Sequence, residues 1–203
     1  MSDYWINRGP DNLIMTGYLP GGINEGKRDA VYQAVTDALM EHEVTSVLDV
    51  GGNVALLGIH FQKVGYEPNY VVVDSNPHAV EWCHQNGFEA KVGDANNLEG
   101  FRKNQKSAVT LLATLDHLPD FRPGLREAFR VARDVVVVDW WKYPPGDTEV
   151  IRPDPRGFYE NTYAHDDIEE LADECGWEIE SSEMVQGNNA VDTIYVFVPK
   201  SAF

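Results

Sequence analysis

The sequence predicts one α/β domain over residues 1–203: a doubly wound, mostly parallel seven-stranded sheet with helices on both faces and an antiparallel hairpin strand at the C-terminal end. Three observations predict it. Short apolar runs recur along the chain ("VLDV" at 47–50, "YVVVD" at 70–74, "SAVTLLAT" at 107–114, "DVVVVDWW" at 134–141), and "YVVVD" is too apolar on both faces for a strand with one wet side and suits the middle of a parallel sheet. Amphipathic stretches of helical period separate them, as right-handed βαβ units require. The last two β-rich runs, "WEIESSEMV" and "DTIYVFVPK", are joined only by "QGNNA", which reads as a hairpin turn.

Taken in order, residues 1–23 are an N-terminal extension or lid, and 24–42 form a helix in which Asn24 is placed to cap and Val31, Ala34, Val35, Ala38 and Leu39 share one face. A buried strand follows at 45–50. After Gly51 and Gly52, the spacing of Val54, Leu57, Phe61 and Val64 gives a second helix that ends at Gly65. The strand at 70–74 leads to a helix opened by Asn76 as cap and Pro77 as first residue and closed by Gly87. "FEAKVGD" (88–94) is the third strand, 107–114 the fourth, 119–133 a helix and 134–141 the fifth strand. Residues 141–164 are too long for a simple connection, and loops of that length in compact domains are often functional. Ile168, Leu171, Ala172 and Cys175 then make one more helical stripe, begun by Asp166 and Asp167 and ended at Gly176.

Composition narrows the partners. Asp plus Glu number 33 against 16 Lys plus Arg, a formal charge of −17, and such a surface repels phosphate backbones and anionic lipid. No DNA partner and no membrane partner is expected. No apolar run approaches the ~20 residues of a spanning helix, and "MSDYWINRGPDN" has no secretory pattern, so a cytoplasmic protein is expected. The acid excess also fits a high-salt cytoplasm. Cys83 and Cys175 stand outside any CxxC or Cys/His spacing and read as small buried hydrophobes.

The stretch "VLDVGGNVALLG" (47–58) has the strand, turn and helix of a nucleotide-type cofactor site at the carboxyl edge of an open sheet. A dinucleotide fingerprint needs GxGxxG; from Gly51 the chain reads Gly, Gly, Asn, Val, Ala, Leu, so an NAD-linked enzyme is disfavoured. The chain instead resembles the class I S-adenosylmethionine-dependent methyltransferases over nearly its whole length. "VLDVGGN" is similar to their DxGxGxG motif, "VVVD" puts Asp74 at the end of strand two, "VGDANNL" puts Asp94 after strand three, and "LLATLDHLPD" follows strand four. "HDDIEELADECGWEIESSEMV" and "IYVFVPK" resemble the late helix and the closing pair of strands.

That resemblance implies S-adenosyl-L-methionine as cofactor. Asp49 would help hold the methionine amine, Gly51, Gly52 and Asn53 would let the turn approach, and Asp74 with Ser75 would meet the ribose. Asp94 and the backbone of Ala95 would meet the adenine, and Ala113 and Thr114 would close the pocket. Asn53 stands in for the second glycine, and asparagine tolerates the left-handed conformation. Ala55 adds a methyl where helix and strand pack closely and implies a narrower pocket.

Methyl transfer to an O, N or C atom needs approach geometry and exclusion of water, with a base only if the acceptor must lose a proton. His117, after the fourth strand, is the leading base candidate, ahead of Asp116 and Asp139. The DNA amino-methyltransferase motif is missing from that position, and "YPPG" (143–146) lies after the wrong strand. A small-molecule acceptor is expected, with Arg152 or Arg156 facing an anionic group and Tyr159 nearby in a closing loop. Tyr4, Trp5 and Arg8 could fold back as a lid, with Arg8 on the cofactor carboxylate. The alternatives are a non-catalytic binding or assembly module that keeps the fold, and an RNA or protein methyltransferase.

Overall fold

The computed structural model describes residues 3–6, 9, 17–142, 144–186 and 191–201. Among the described residues seven strands form one sheet: β1 (Ser46–Val50), β2 (Asn69–Asp74), β3 (Glu89–Val92), β4 (Lys106–Leu112), β5 (Ala132–Trp140), β6 (Trp177–Gln186) and β7 (Val191–Pro199). Their spatial order is β3-β2-β1-β4-β5-β7-β6, with β1 to β5 parallel and β7 antiparallel to both neighbours. The direction of winding reverses between β1 and β4. In such a sheet that is where the carboxyl ends of the strands open a crevice.

A short helix α1 (Asp3–Ile6) comes first, followed by α2 (Asp29–Glu41), α3 (Leu56–Val64), α4 (Pro77–Gln85), α5 (Arg122–Val131) and α6 (His165–Glu174). The sheet is buried between two apolar layers. The two-residue period of a strand explains why: along β1, Leu48 and Val50 face the layer with Phe121, Leu125 and Ile168, while Val47 faces the layer with Val31, Val35, Leu39 and Phe61. Four successive valines of β5, Val135 to Val138, divide in the same way and are all fully buried.

Two expectations shift at the ends of elements. The first long helix starts at Asp29, not at Asn24, because the Asn24 N–H is spent on the Gly17 carbonyl (2.7 Å) and its side chain takes the Lys27 ammonium (2.6 Å). Asn76 does cap α4, accepting the His78 N–H at 2.9 Å, with Pro77 next. β6 is the outer strand on its side and is mostly exposed, with Trp177 its one buried side chain. Gly187 and the two asparagines expected in the hairpin turn lie outside the described residues, as do Arg8 and Tyr143. Among the described residues, no helix is long and apolar enough to cross a membrane.

Candidate functional site

The turn after β1 is shaped by contacts that leave no room for side chains. Gly51 has φ +78°, its N–H donates to the Val73 carbonyl at 2.7 Å, and a Cβ there would fall 2.3 Å from Thr114 Oγ1. At Gly52 a Cβ would fall 2.6 Å from Asp49 Oδ2. Asn53 (φ 45°) and Ala55 (φ 53°) are both left-handed, which for alanine costs about 1–2 kcal/mol. The close packing of helix on strand is borne by Gly58, where a Cβ would meet Tyr70 Cε1 at 2.6 Å and Phe88 Cε1 at 2.8 Å. The third glycine that the turn lacks at position 55 is thus supplied one helical turn later, in a residue the sequence reading passed over.

Asp49 lies under the turn, 2% exposed, with Tyr70 Oη donating at 2.5 Å and Thr110 Oγ1 at 2.9 Å; burial pushes its carboxyl up to about 6, against those two hydrogen bonds. Asp74 ends β2 and ties the two loops together, accepting the N–H of Asn53 at 2.9 Å and of Asn76 at 2.8 Å. Burial raises its pKa, opposed by these backbone donors. Each of its oxygens retains acceptor capacity after that.

These residues border a cavity of about 350 Å³ at the switch between β1 and β4. Gly51, Gly52, Asn53, Asp74, Ser75, Ala95, Ala113 and Thr114 all reach its wall, as does Asp49. Asp94 does not. Its carboxylate accepts the Asn96 N–H at 2.8 Å within a tight turn, and the neighbouring Gly93 and Ala95 are what face the cavity. Ala113 is left-handed (φ 50°), and Thr114 Oγ1 donates back to the Val50 carbonyl at 3.1 Å, which closes the gap between the ends of β1 and β4.

The outer end of the cavity is walled by rings from three separate segments: Tyr4 and Trp5 on α1, His117 after β4, and Trp141 with Phe158 after β5. Trp5 lies 5.1 Å from His117 and 5.5 Å from Phe158, and His117 lies 6.0 Å from Trp141. The N-terminal aromatics therefore fold over the site. His117 Nδ1 is 2.7 Å from the Tyr159 carbonyl oxygen. A carbonyl only accepts, so Nδ1 carries the proton and the neutral ring keeps its lone pair on Nε2. Tyr159 contributes that carbonyl to the site, and its ring is not part of the wall.

The two arginines of the 141–164 segment part company. Arg156 reaches the cavity, but its guanidinium is forked onto Asp154 (2.8 and 3.0 Å) and stacked 4.6 Å over the Phe158 ring. Arg152 turns into its own excursion, donating to Thr162 Oγ1 at 2.9 Å and to the Glu160 carbonyl at 3.3 Å, and is not in the wall.

Sequence reasoning missed Arg28, Tyr32, Trp141 and Glu160, which the fold brings to the cavity. Arg28 is 8% exposed, pairs with Asp139 across 111 residues of chain, and has its Nε buried without a partner. It is a buried cation at the cavity, a place for which no local pattern in the chain distinguishes it from Arg8. Around it, Asp116, Asp139 and Asp192 are three almost fully buried carboxylates. Burial pushes Asp116 up to about 6 and, with the nearby Asp139, Asp192 up to about 7; it also raises Asp139, against the pull of Arg28.

Residues 48–136 match a family model described as a methyltransferase domain. Among curated proteins no sequence match was found. The magnesium protoporphyrin IX methyltransferase of Synechocystis PCC 6803 with bound S-adenosylhomocysteine superposes with a TM-score of 0.73 at 17% identity, covering 98% of this chain and 97% of that one. The 1,6-didemethyltoxoflavin-N1-methyltransferase of Burkholderia thailandensis gives 0.67 at 14% identity over 85% and 80% of the two chains. The cyclase SpnF gives 0.66 at 13% identity over 86% and 81%. At these identities the superpositions establish a shared fold. The methyltransferase-domain match spans β1 to β5, the part of that shared fold that carries the turn at Gly51 and Asp74.

Proposed function

We propose that this chain works as one catalytic domain that moves the methyl group of S-adenosyl-L-methionine to a small-molecule acceptor. The observation that carries the reading is the turn at Gly51 to Asn53 locked onto Asp74 beside a cavity whose outer end holds His117. The residues fit that cofactor. Asp74 keeps acceptor capacity for the ribose hydroxyls, the backbone at Gly93 and Ala95 is open to the adenine, and the unpartnered Nε of Arg28 suits the methionine carboxylate. When bound, the sulfonium supplies an electrophilic methyl group and a neutral thioether as leaving group. The chain supplies alignment, a wall of rings that excludes water, and His117 Nε2 to take a proton from an acceptor that must lose one.

The acceptor is taken to be small for two reasons. The two methyltransferases named above are those of magnesium protoporphyrin IX and 1,6-didemethyltoxoflavin, and a formal charge of −17 repels nucleic-acid backbones and anionic membranes. We place the activity in the cytoplasm on the same grounds of charge and composition. Titration calorimetry with S-adenosylmethionine and S-adenosylhomocysteine tests the reading: micromolar or tighter binding is expected, and no binding of either would overturn it.

A second reading, a fold kept as a non-catalytic binding module, is favoured by one observation, the left-handed Ala55 where the family turn carries glycine. Cofactor binding without any product 14 Da heavier, across an extract of host metabolites, would support it.

A further inference from the structure

Resting on the methyl-transfer reading, we infer that the acceptor is a flat aromatic molecule bearing a phenolic hydroxyl, seated among Trp5, Trp141 and Phe158 with that hydroxyl at His117 Nε2.

Three features of the outer cavity point to it. The first is shape. Five rings, Tyr4, Trp5, His117, Trp141 and Phe158, are drawn from three distant stretches of chain onto one wall, with centroid separations of 4.7 to 6.0 Å. These are spacings at which rings meet edge to face or offset, and a flat ligand extends the same pattern. Rings serving only the core would turn inward, yet Trp141 and Trp5 remain partly exposed at the rim.

The second is the shortage of cations for an anionic acceptor. Arg156 is forked onto Asp154, Arg28 is paired with Asp139, Arg152 points elsewhere, and the wall includes the acidic Glu160. Beyond the Arg28 Nε, which suits the cofactor's own carboxylate, a carboxylate or phosphate entering here would have to break a formed ion pair: Arg156 with Asp154, Arg28 with Asp139 or Lys142 with Glu160.

The third is the small set of polar atoms left over. Trp5 Nε1 is buried without a partner, His117 Nε2 has the lone pair, and Asp116 is 1% exposed with neither carboxylate oxygen hydrogen-bonded. Asp116 Oδ2 stands 3.9 Å from His117 Nε2. An imidazole that gains a proton there gains a carboxylate partner with it. A phenol, with a pKa of about 10, can yield its proton to such a base, whereas an aliphatic alcohol is far too weak an acid. In the step, the phenol O–H bond breaks with its proton going to His117 Nε2. The oxygen pair forms the new O–CH3 bond while the S–CH3 bond breaks with its pair left on sulfur, and the histidine later gives the proton to water.

The test uses the full chain saturated with S-adenosylhomocysteine and calorimetric titration of 4-methylumbelliferone, 8-hydroxyquinoline and quercetin, set against succinate and glycerol 3-phosphate. At least one ring compound is expected to bind and neither aliphatic anion to bind as tightly. Trp141→Ala should weaken the ring compound about tenfold, Trp141→Phe should restore it to within about threefold, and S-adenosylhomocysteine affinity should stay within about threefold in both. Because Trp141 is at the rim, these variants do not depend on the core, unlike Phe158→Ala. Failure of all three ring compounds, tighter binding of an aliphatic anion, or an indifferent Trp141→Ala would overturn the inference. Loss of S-adenosylhomocysteine binding in the unaltered protein would instead overturn the methyl-transfer reading, and the ring compounds titrated alone would still judge this one.

Discussion

Gly51→Ala probes the turn on which the cofactor reading stands. The substitution places a methyl group at φ +78°, where alanine loses about 1–2 kcal/mol. It also drives that methyl to 2.3 Å from Thr114 Oγ1 and 2.8 Å from its Cγ2, overpacking that costs a further ~1–3 kcal/mol. Together these lower stability by about 2–5 kcal/mol, or about 4–20 °C in Tm for a chain of this size. In a Thr114→Ala background both offending atoms are gone and the nearest remaining one, the Cβ of residue 114, is 3.2 Å away, so only the backbone cost should persist. The double-mutant cycle, measured by urea unfolding, should therefore give a coupling of about 2 kcal/mol in favour of the double variant. Equal cost of Gly51→Ala in the two backgrounds would show that the steric contact between the ends of β1 and β4 is not what requires glycine.

Asp74→Asn replaces an acceptor of two backbone N–H bonds and is expected to weaken S-adenosylhomocysteine about 10- to 100-fold by calorimetry, the range for losing hydrogen bonds to a charged group; an unchanged affinity would remove Asp74 from the site. Arg28→Met strands the Asp139 charge in the interior at a cost of about 3–5 kcal/mol, and Asp139→Asn in the same chain should recover much of it; if the second change instead adds to the loss on denaturation, the pair is not coupled. Asp49 titrates higher when folded (about 6) than unfolded, so the native state binds the extra proton. Its contribution is complete below pH ~4 and is lost as pH rises through about 6, some 3 kcal/mol in all. Asp49→Asn should flatten the fall in stability across that same window, and an unaltered slope would refute this assignment.

The sheet was legible because parallel strands buried on both faces must be apolar throughout, as in the valines of β2 and β5, and because Asn76-Pro77 marks a helix start by its own side-chain chemistry. The ends of the strands were legible too: Asp49, Gly51, Asp74 and Thr114 stand where a reversal of winding opens a cleft. What escaped the sequence was the direction in which side chains turn once the chain has folded. Asp94 reads as a ligand for adenine, yet its neighbours Gly93 and Ala95 are the residues that line the cavity. Arg152 and Arg156 looked equivalent, but a local hairpin-like excursion sends one toward Thr162 and the other to the rim. Arg28 carried no local signal, since its partner Asp139 lies on another element and only burial of both makes it a site residue.

The exposed flank of β6 has a bearing on how this protein would fail. An outermost strand offers its free backbone groups to any other chain, and here Glu178, Glu180 and Glu183 line ten residues of it. With those glutamates replaced by glutamine, strangers can dock along that margin and extend the sheet from one molecule into the next. Fibrous association, in preference to dispersed unfolded monomers, is the outcome expected of such a variant.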